Sequence, residues 1–221
     1  MEIKDNLVSY YVPSEKKQLE LQEILSFIQK ECKNSLISID LTNFELSVII
    51  KKDKLYTFIE FIKNNKVLMF KQLIDITAVD YPDRNNRFTV VYNLLSLAHN
   101  FRIRVKVEIE ENQMLESIVA LYPAANFLER EVWDLFGIKF TNHPDLRRIL
   151  TDVGFEGHPL RKDFPVTGFM EVIYDEEQEA VVYKPVELIQ AYRDFDYQNP
   201  WMAGLEELAL SEIKNKSEEN K

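Results

Sequence analysis

The sequence predicts a two-layer α+β fold, in which helices cover one apolar face of a largely antiparallel sheet. Three observations carry that prediction. The first is the order of patterns, α-β-β-α-β-β-β, followed by a distinctive helix and loop and then a long extended C-terminal tail. The second is the segment Phe101–Ile109, where Phe101, Ile103, Val105, Val107 and Ile109 alternate with Arg102, Arg104, Lys106 and Glu108. A period of two turns one set inward and leaves a mostly basic set in solvent. The third is a pair of helical stripes, Leu21/Ile24/Leu25/Ile28 and Leu55/Phe58/Ile59/Ile62. Each is one-sided and needs an apolar surface to lie on.

Residues 1–13 read as an extended lead-in ending at Pro13. Ser14 can cap a helix running to about Lys33. Strands near Leu36–Leu41 and Phe44–Lys51 are joined through Thr42 and Asn43, which makes a hairpin. Asp53 is the expected cap of a second helix reaching Asn65. A strand follows through Leu73, Ile74 and Ile76, then turn chemistry at Pro82-Asp83-Arg84-Asn85-Asn86. Arg87–Ser96 alternates Phe88, Val90, Tyr92 and Leu94, and a turn at Ala98-His99-Asn100 leads into Phe101–Ile109. Met114–Tyr122 reads as a short helical piece. Pro123 is expected to start a helix that Gly137 ends, with Leu128, Val132, Leu135 and Phe136 toward the core. The α+β domain therefore spans 14–165. Residues 166–221 form a tail with an apolar–acidic alternation at Val172–Val182, an aperiodic stretch at Lys184–Trp201 and a short helix near Leu205–Ile213.

Composition narrows the function classes. A net charge of −10 over 221 residues opposes generic nucleic-acid binding, which needs a basic face. Cys32 is the only cysteine, which excludes an internal disulfide and a cysteine-ligated cluster or zinc ribbon within the chain. It is read as a small buried apolar residue. Apolar runs are broken by charge well short of the ~20 residues of a spanning helix. The start, MEIKDNLVSYY, has neither a basic, apolar secretory pattern nor an Arg-rich amphipathic one. The chain is expected to work where it is made, or to have lost a leader.

The chemistry-bearing residues concentrate in Glu129–Pro165, which holds three of five glycines, three of eight prolines and two of three histidines. Beyond its opening helix it follows no strict period, which is typical of a surface held in one shape rather than of core. Glu129, Glu131 and Asp134 can be drawn as paired catalytic carboxylates. With Arg130 among them and four residues from Asp134, an exposed ion-pair network is the preferred reading. His143 and His158, with Asp145, Asp152 and Asp163, fit no short metal-ligand spacing, and each histidine precedes a proline. Histidines fixing a loop through backbone hydrogen bonds account for them more simply, and His99 is expected to be solvated. Arg147, Arg148, Arg161 and Lys162 are matched in number by Asp145, Asp152, Glu156 and Asp163. That balance favours salt bridges with a protein partner over phosphate binding. Trp133 suits a core or an interface equally. Tyr192, Phe195, Tyr197 and Trp201 in the tail have nothing local to bury them and are expected to anchor an interface.

Glu129-Arg130-Glu131, then Asp134-Leu135-Phe136-Gly137-Ile138, then His143-Pro144-Asp145-Leu146-Arg147-Arg148-Ile149-Leu150 resembles the signature of the 30-kilodalton subunit family of respiratory complex I. The bacterial members are the C subunits of NADH–quinone oxidoreductase, and the mitochondrial ones are NADH dehydrogenase subunit 9. Thr77–Arg84 with Arg87-Phe88 and Val91–Ser96, Gly157–Pro165, and Arg193–Asp196 with Pro200-Trp201 match in the same order. The resemblance covers roughly residues 20 to 201. It implies a non-catalytic subunit of the hydrophilic arm, near the quinone-reducing end of an assembly that oxidises NADH, reduces quinone and translocates protons. It implies no iron–sulfur cluster, flavin or nucleotide on this chain, with FMN and the clusters held by other subunits. The implied partners are the large, 49-kilodalton-type quinone-site subunit and neighbouring iron–sulfur subunits, with Tyr192, Phe195 and Trp201 in the contacting tail. The implied location is peripheral on an energy-transducing membrane, at a bacterial cytoplasmic or a mitochondrial matrix face. A related membrane-bound hydrogenase carries an equivalent subunit, and a stand-alone hydrolase built on Glu131, Asp134 and His143 is the remaining alternative.

Overall fold

A computed structural model describes residues 14–42 and 44–190. They fall in two compact units, one ending at Gly168 and the other beginning at Phe169. The lead-in, Asn43, and the tail from position 191, with Tyr192, Phe195, Tyr197, Trp201 and the expected last helix, lie outside the described residues.

The first unit follows the order that the periodicities predict. It begins with α1 (Glu15–Glu31), β1 (Leu36–Thr42), β2 (Glu45–Ile50) and α2 (Leu55–Asn64). Next come β3 (Gln72–Asp80), β4 (Phe88–Ser96) and β5 (Phe101–Ile109), which complete a five-stranded sheet of order β1-β2-β5-β4-β3. Its pairings are antiparallel except for β2 with β5, which run parallel. The inward residues of β5 pair with those of β4, Val105 with Tyr92 and Val107 with Val90. They form one continuous core with Leu21, Ile24 and Ile28 of α1 and Leu55, Phe58, Ile59 and Ile62 of α2. On the opposite face Arg102 and Arg104 stay exposed, and Arg104 pairs with Glu45 across two strands at 3.2 Å. Cys32 is buried beside α1, and burial pushes its thiol up to about 11.

Several local expectations are corrected. Ser14 occupies the N-cap of α1, but its side chain makes no capping hydrogen bond. Asp53 lies inside a 3-10 turn, Lys52–Lys54, that precedes α2, so it is not the cap. In β4 both faces are largely buried, including Thr89 and Val91. The strand is interior to the sheet, between β3 and β5. Met114–Tyr122 is not helical: Met114–Glu116 is a short strand, β6, parallel to β7 (Lys139–Thr141). Between them runs α3 (Ala125–Phe136), which starts two residues after Pro123 and ends at Gly137, in the left-handed conformation at φ 80°. The partner that makes β6 a strand lies about twenty-five residues away, beyond the reach of any local pattern. Ser117 N–H extends this pairing by donating to the Thr141 carbonyl at 2.9 Å.

In the second unit, the stretch expected to be extended contains a hairpin of β8 (Met170–Asp175) and β9 (Ala180–Pro185). The apolar–acidic alternation noted at 172–182 is its two strands. Asp175 closes the turn by accepting hydrogen bonds from the Glu177 and Gln178 amides.

Candidate partner-docking surface

Helix α3 carries the acidic residues of the signature, and its periodicity decides their fate. Ala125, Glu129, Val132 and Phe136 recur at spacings of four, three and four on the buried face. Glu129 is therefore drawn into the core, and both it and Asp134 are 0% exposed. The expected exposed ion-pair network of Glu129, Arg130 and Asp134 does not form. Arg130 instead spends its fork on the Arg147 and Arg148 carbonyls, at 3.0 Å each. Glu131 is half-buried on the outer side.

Asp134 organises the loop after β7. One carboxylate oxygen accepts the backbone N–H groups of Ile149, Leu150 and Thr151 at 3.0, 2.8 and 2.9 Å. The other accepts the Thr151 hydroxyl and Arg148 Nη1, the latter at 2.7 Å. Three successive amides around one anion form a nest. Burial alone would raise the Asp134 pKa. The Thr151 hydroxyl and the Thr151, Ile149 and Leu150 amides outweigh that and hold it well below the usual carboxylate range. Arg148 also donates to the Gly157 carbonyl and lies over the Trp133 and Phe155 rings, at 5.7 and 5.5 Å.

The segment Gly157–Asp163 closes the C-terminal end of α3. His158 Nδ1–H donates to the Asp134 carbonyl at 2.9 Å, Leu160 N–H to Leu135 at 3.0 Å and Arg161 Nε–H to Phe136 at 2.6 Å. Carbonyls left unpaired by the end of the helix thus gain donors, one of them a cation at the negative end of the helix dipole. Gly137 makes this possible, because a Cβ there would lie 2.7 Å from both His158 and Arg161 side-chain atoms. Burial lowers the His158 pKa, and Arg161 and Arg148 lower it further against the pull of the Asp134 carbonyl.

A second anchor ties this segment to the sheet. Arg87, the residue before β4, pairs with buried Asp80 at 2.8 Å, with Asp163 at 2.7 Å and with Glu111 at 3.2 Å. Glu111 also binds Arg161 at 2.8 Å, and Asp80 accepts the Lys162 amide. The Arg87 hydrogen bonds hold the Asp80 carboxyl below its usual range in spite of burial. The sequence does carry a signal for Asp80. It continues the inward phase of Ile76 and Ala78, where a charge requires a partner.

The candidate residues thus divide. Glu129, Asp134, Arg148, His158 and Arg161 are engaged within the chain. Arg147 and Asp145 form an exposed pair at 2.9 Å, and the Lys162 and Asp163 side chains also face solvent. His143 bridges backbone, its Nε2–H donating to the Asn126 carbonyl and its Nδ1 accepting the Asp145 amide, both at 3.1 Å. Among the described residues no group of three or more His, Cys, Asp and Glu could hold a metal ion. Ser117, Glu111 and Thr151, absent from the expected site, complete it, and nothing in their local sequence marks them.

Exposed apolar side chains accompany these charges. Leu150, Val153 and Leu160 stand out on the loop. In the hairpin, Met170, Val172 and Tyr174 lie opposite Pro185, Tyr183 and Val181, forming one exposed apolar face. The other face carries the Glu171–Lys184 pair at 2.9 Å. No helix among the described residues is long and apolar enough to cross a membrane.

Comparison with known proteins agrees with this arrangement. A family model described as the respiratory-chain NADH dehydrogenase 30 Kd subunit matches residues 48–170. The C subunit of NADH-quinone oxidoreductase from Roseobacter denitrificans is 51% identical over 181 residues, covering 82% of this chain and 91% of the relative. Its counterpart from Maricaulis maris is 52% identical over 161 residues, covering 73% and 80%. Among solved structures, a chain of the membrane-bound sulfane sulfur reductase, an archaeal respiratory membrane complex, superposes with a TM-score of 0.57 at 26% identity, covering 65% of this chain and 85% of that one. With its signature helix, clamped loop and strands β3 to β5 inside the matched span, the chain belongs to the family of the respiratory-chain NADH dehydrogenase 30-kilodalton subunit and is a complex I-type subunit.

Proposed function

We propose that this chain is a non-catalytic structural subunit in the peripheral arm of a proton-translocating NADH:quinone oxidoreductase. It docks against the large quinone-site subunit and neighbouring iron–sulfur subunits, and it supports electron transfer to quinone without carrying the electrons. FMN and the clusters belong to those other subunits. The bacterial relatives favour the cytoplasmic face of the inner membrane over the mitochondrial matrix. The observation that carries the docking role is the exposed apolar face of the β8–β9 hairpin. A two-stranded hairpin is marginal in water by itself, and a contiguous apolar face marks a contact surface. The clamped signature loop supports a structural role as well, since its buried carboxylates are satisfied internally rather than turned toward a substrate. A hydrolase built on Glu131, Asp134 and His143 would need Asp134 and His143 accessible, and both of those side chains are sealed.

The test is the double variant Val172→Asp with Tyr174→Ser in the assembled complex. Iron–sulfur and flavin subunits should no longer co-purify with it, and membranes should lose NADH:quinone reductase activity. Normal assembly and activity would remove the hairpin from the interface. The likeness to a sulfane sulfur reductase chain favours a second reading, the equivalent subunit of a related membrane-bound complex such as a hydrogenase. Subunits captured with the tagged wild-type chain distinguish the two: a flavin-bearing NADH-oxidising module supports the first, and a hydrogenase-type set the second.

A further inference from the structure

Two carboxylates on α3 are sealed from water and treated oppositely. Asp134 receives five hydrogen bonds, one from an arginine. Glu129, five residues earlier, receives two: Ser117 hydroxyl to Oε2 at 2.6 Å and Ile118 N–H to Oε1 at 2.8 Å. The ionisable base beside it is His143, whose Nε2 lies 3.9 Å from Oε2, both side chains being 0% exposed. That imidazole is engaged elsewhere: its Nδ1 accepts the Asp145 amide while Nε2–H points to the Asn126 carbonyl. From β4, the buried Tyr92 hydroxyl has no hydrogen-bond partner among the described residues, and its ionisation is opposed by burial and by the charge on Glu129. On its own helix, Arg130 is turned away to the loop carbonyls. No ion pair with a lysine or arginine forms at Glu129 among the described residues.

We propose that Glu129 is a buried proton-binding site, in which Ser117 serves as the reversible partner of the carboxyl. Ionised, Glu129 accepts from Ser117 and Ile118. Protonated on Oε2, it donates to Ser117 Oγ, which also accepts the Val119 amide. Ile118 N–H keeps its acceptor in both states, while the Ser117 hydroxyl rotates away from Oε2 on protonation. An unpaired carboxylate in an apolar site costs more than the neutral acid. Burial accordingly pushes Glu129 up to about 7, against the Ser117 and Ile118 hydrogen bonds. The proton therefore governs the junction of β6 and α3: held below neutrality, it secures the junction, and lost above it, it weakens it. This inference does not depend on the docking role, since the site lies wholly within the first unit.

The test is infrared titration of the full-length chain, following the C=O stretch that only a protonated carboxyl shows. Ordinary carboxyls ionise near about pH 4, so a band persisting at higher pH reports a buried one. It should fade with a midpoint near 7, be absent in Glu129→Gln, and fade at higher pH in Ser117→Ala, which removes a hydrogen bond that favours the charged form. The Ser117→Ala shift and the wild-type titration stand even if Glu129→Gln folds poorly. Loss of the wild-type band near the ordinary carboxyl range, survival of the band in Glu129→Gln, or a downward shift in Ser117→Ala would each overturn the proposal.

Discussion

Asp134 and Glu129 give this protein opposite responses to pH. The folded pKa of Asp134 lies well below its ordinary value. The stability it contributes is therefore present above about pH 4 and is lost as pH falls through its folded pKa. Asp134→Asn turns an N–H2 group toward donors that need an acceptor and leaves Arg148 without its counter-charge. We expect a loss of about 3–5 kcal/mol, the range for breaking a buried pair, read as a lowered urea midpoint with an unchanged slope. Glu129 has the opposite sign. Its folded pKa is raised from 4.5 to about 7, so its contribution is full below about pH 4.5 and lost as pH rises through about 7. The difference corresponds to about 3 kcal/mol. Urea denaturation across this window should show wild-type stability falling relative to Glu129→Gln. Parallel profiles would remove Glu129 as the source.

At the scale of elements, α3 and the loop after it form one unit. The helix supplies the carboxylate that folds residues 148–151, and the loop returns donors that close the end of the helix. Gly137 is the hinge of that exchange. Gly137→Ala places a Cβ at φ 80° and 2.7 Å from the His158 and Arg161 side chains. The left-handed conformation alone costs about 1–2 kcal/mol, and displacing Arg161 also weakens its pair with Glu111. A drop in thermal midpoint together with faster amide exchange at Leu160 and Arg161 is the expected outcome. Unchanged exchange there would show that the helix end does not depend on the close approach. Gly137 was legible as the helix end from its type and position. The close approach of His158 and Arg161 was not, because they arrive from more than twenty residues away.

Across the molecule, the buried carboxylates of the first unit find their donors within it, while the hairpin of the second carries exposed apolar side chains. Stability and assembly should therefore be separable. Val172→Asp with Tyr174→Ser is expected to leave the urea unfolding of the isolated chain within about 0.5 kcal/mol of wild type, as surface changes do, while abolishing co-purification. A large stability loss in the isolated chain would show that the hairpin face is already covered by its own polypeptide.

Local periodicity dictates whatever repeats within a short window. The stripes of α1 and α2, the alternation of β5 and the order of elements follow from periods of 3.6 and 2, which any short window contains. The motif from Glu129 to Leu150 also carried the family resemblance. The state of the charges, by contrast, is set by contacts between distant segments. Glu129 shares the buried phase of Ala125, Val132 and Phe136, yet a charged residue at such a phase is normally read as exposed. Whether it can be buried depends on Ser117, Ile118 and His143, which come from other segments. The same holds for Asp134 with its nest, for Asp80 with Arg87 and for β6 with β7. Patterning chooses elements from near neighbours, whereas the cost of burying a charge or leaving a backbone group unpaired is settled by donors brought together only when the chain closes on itself.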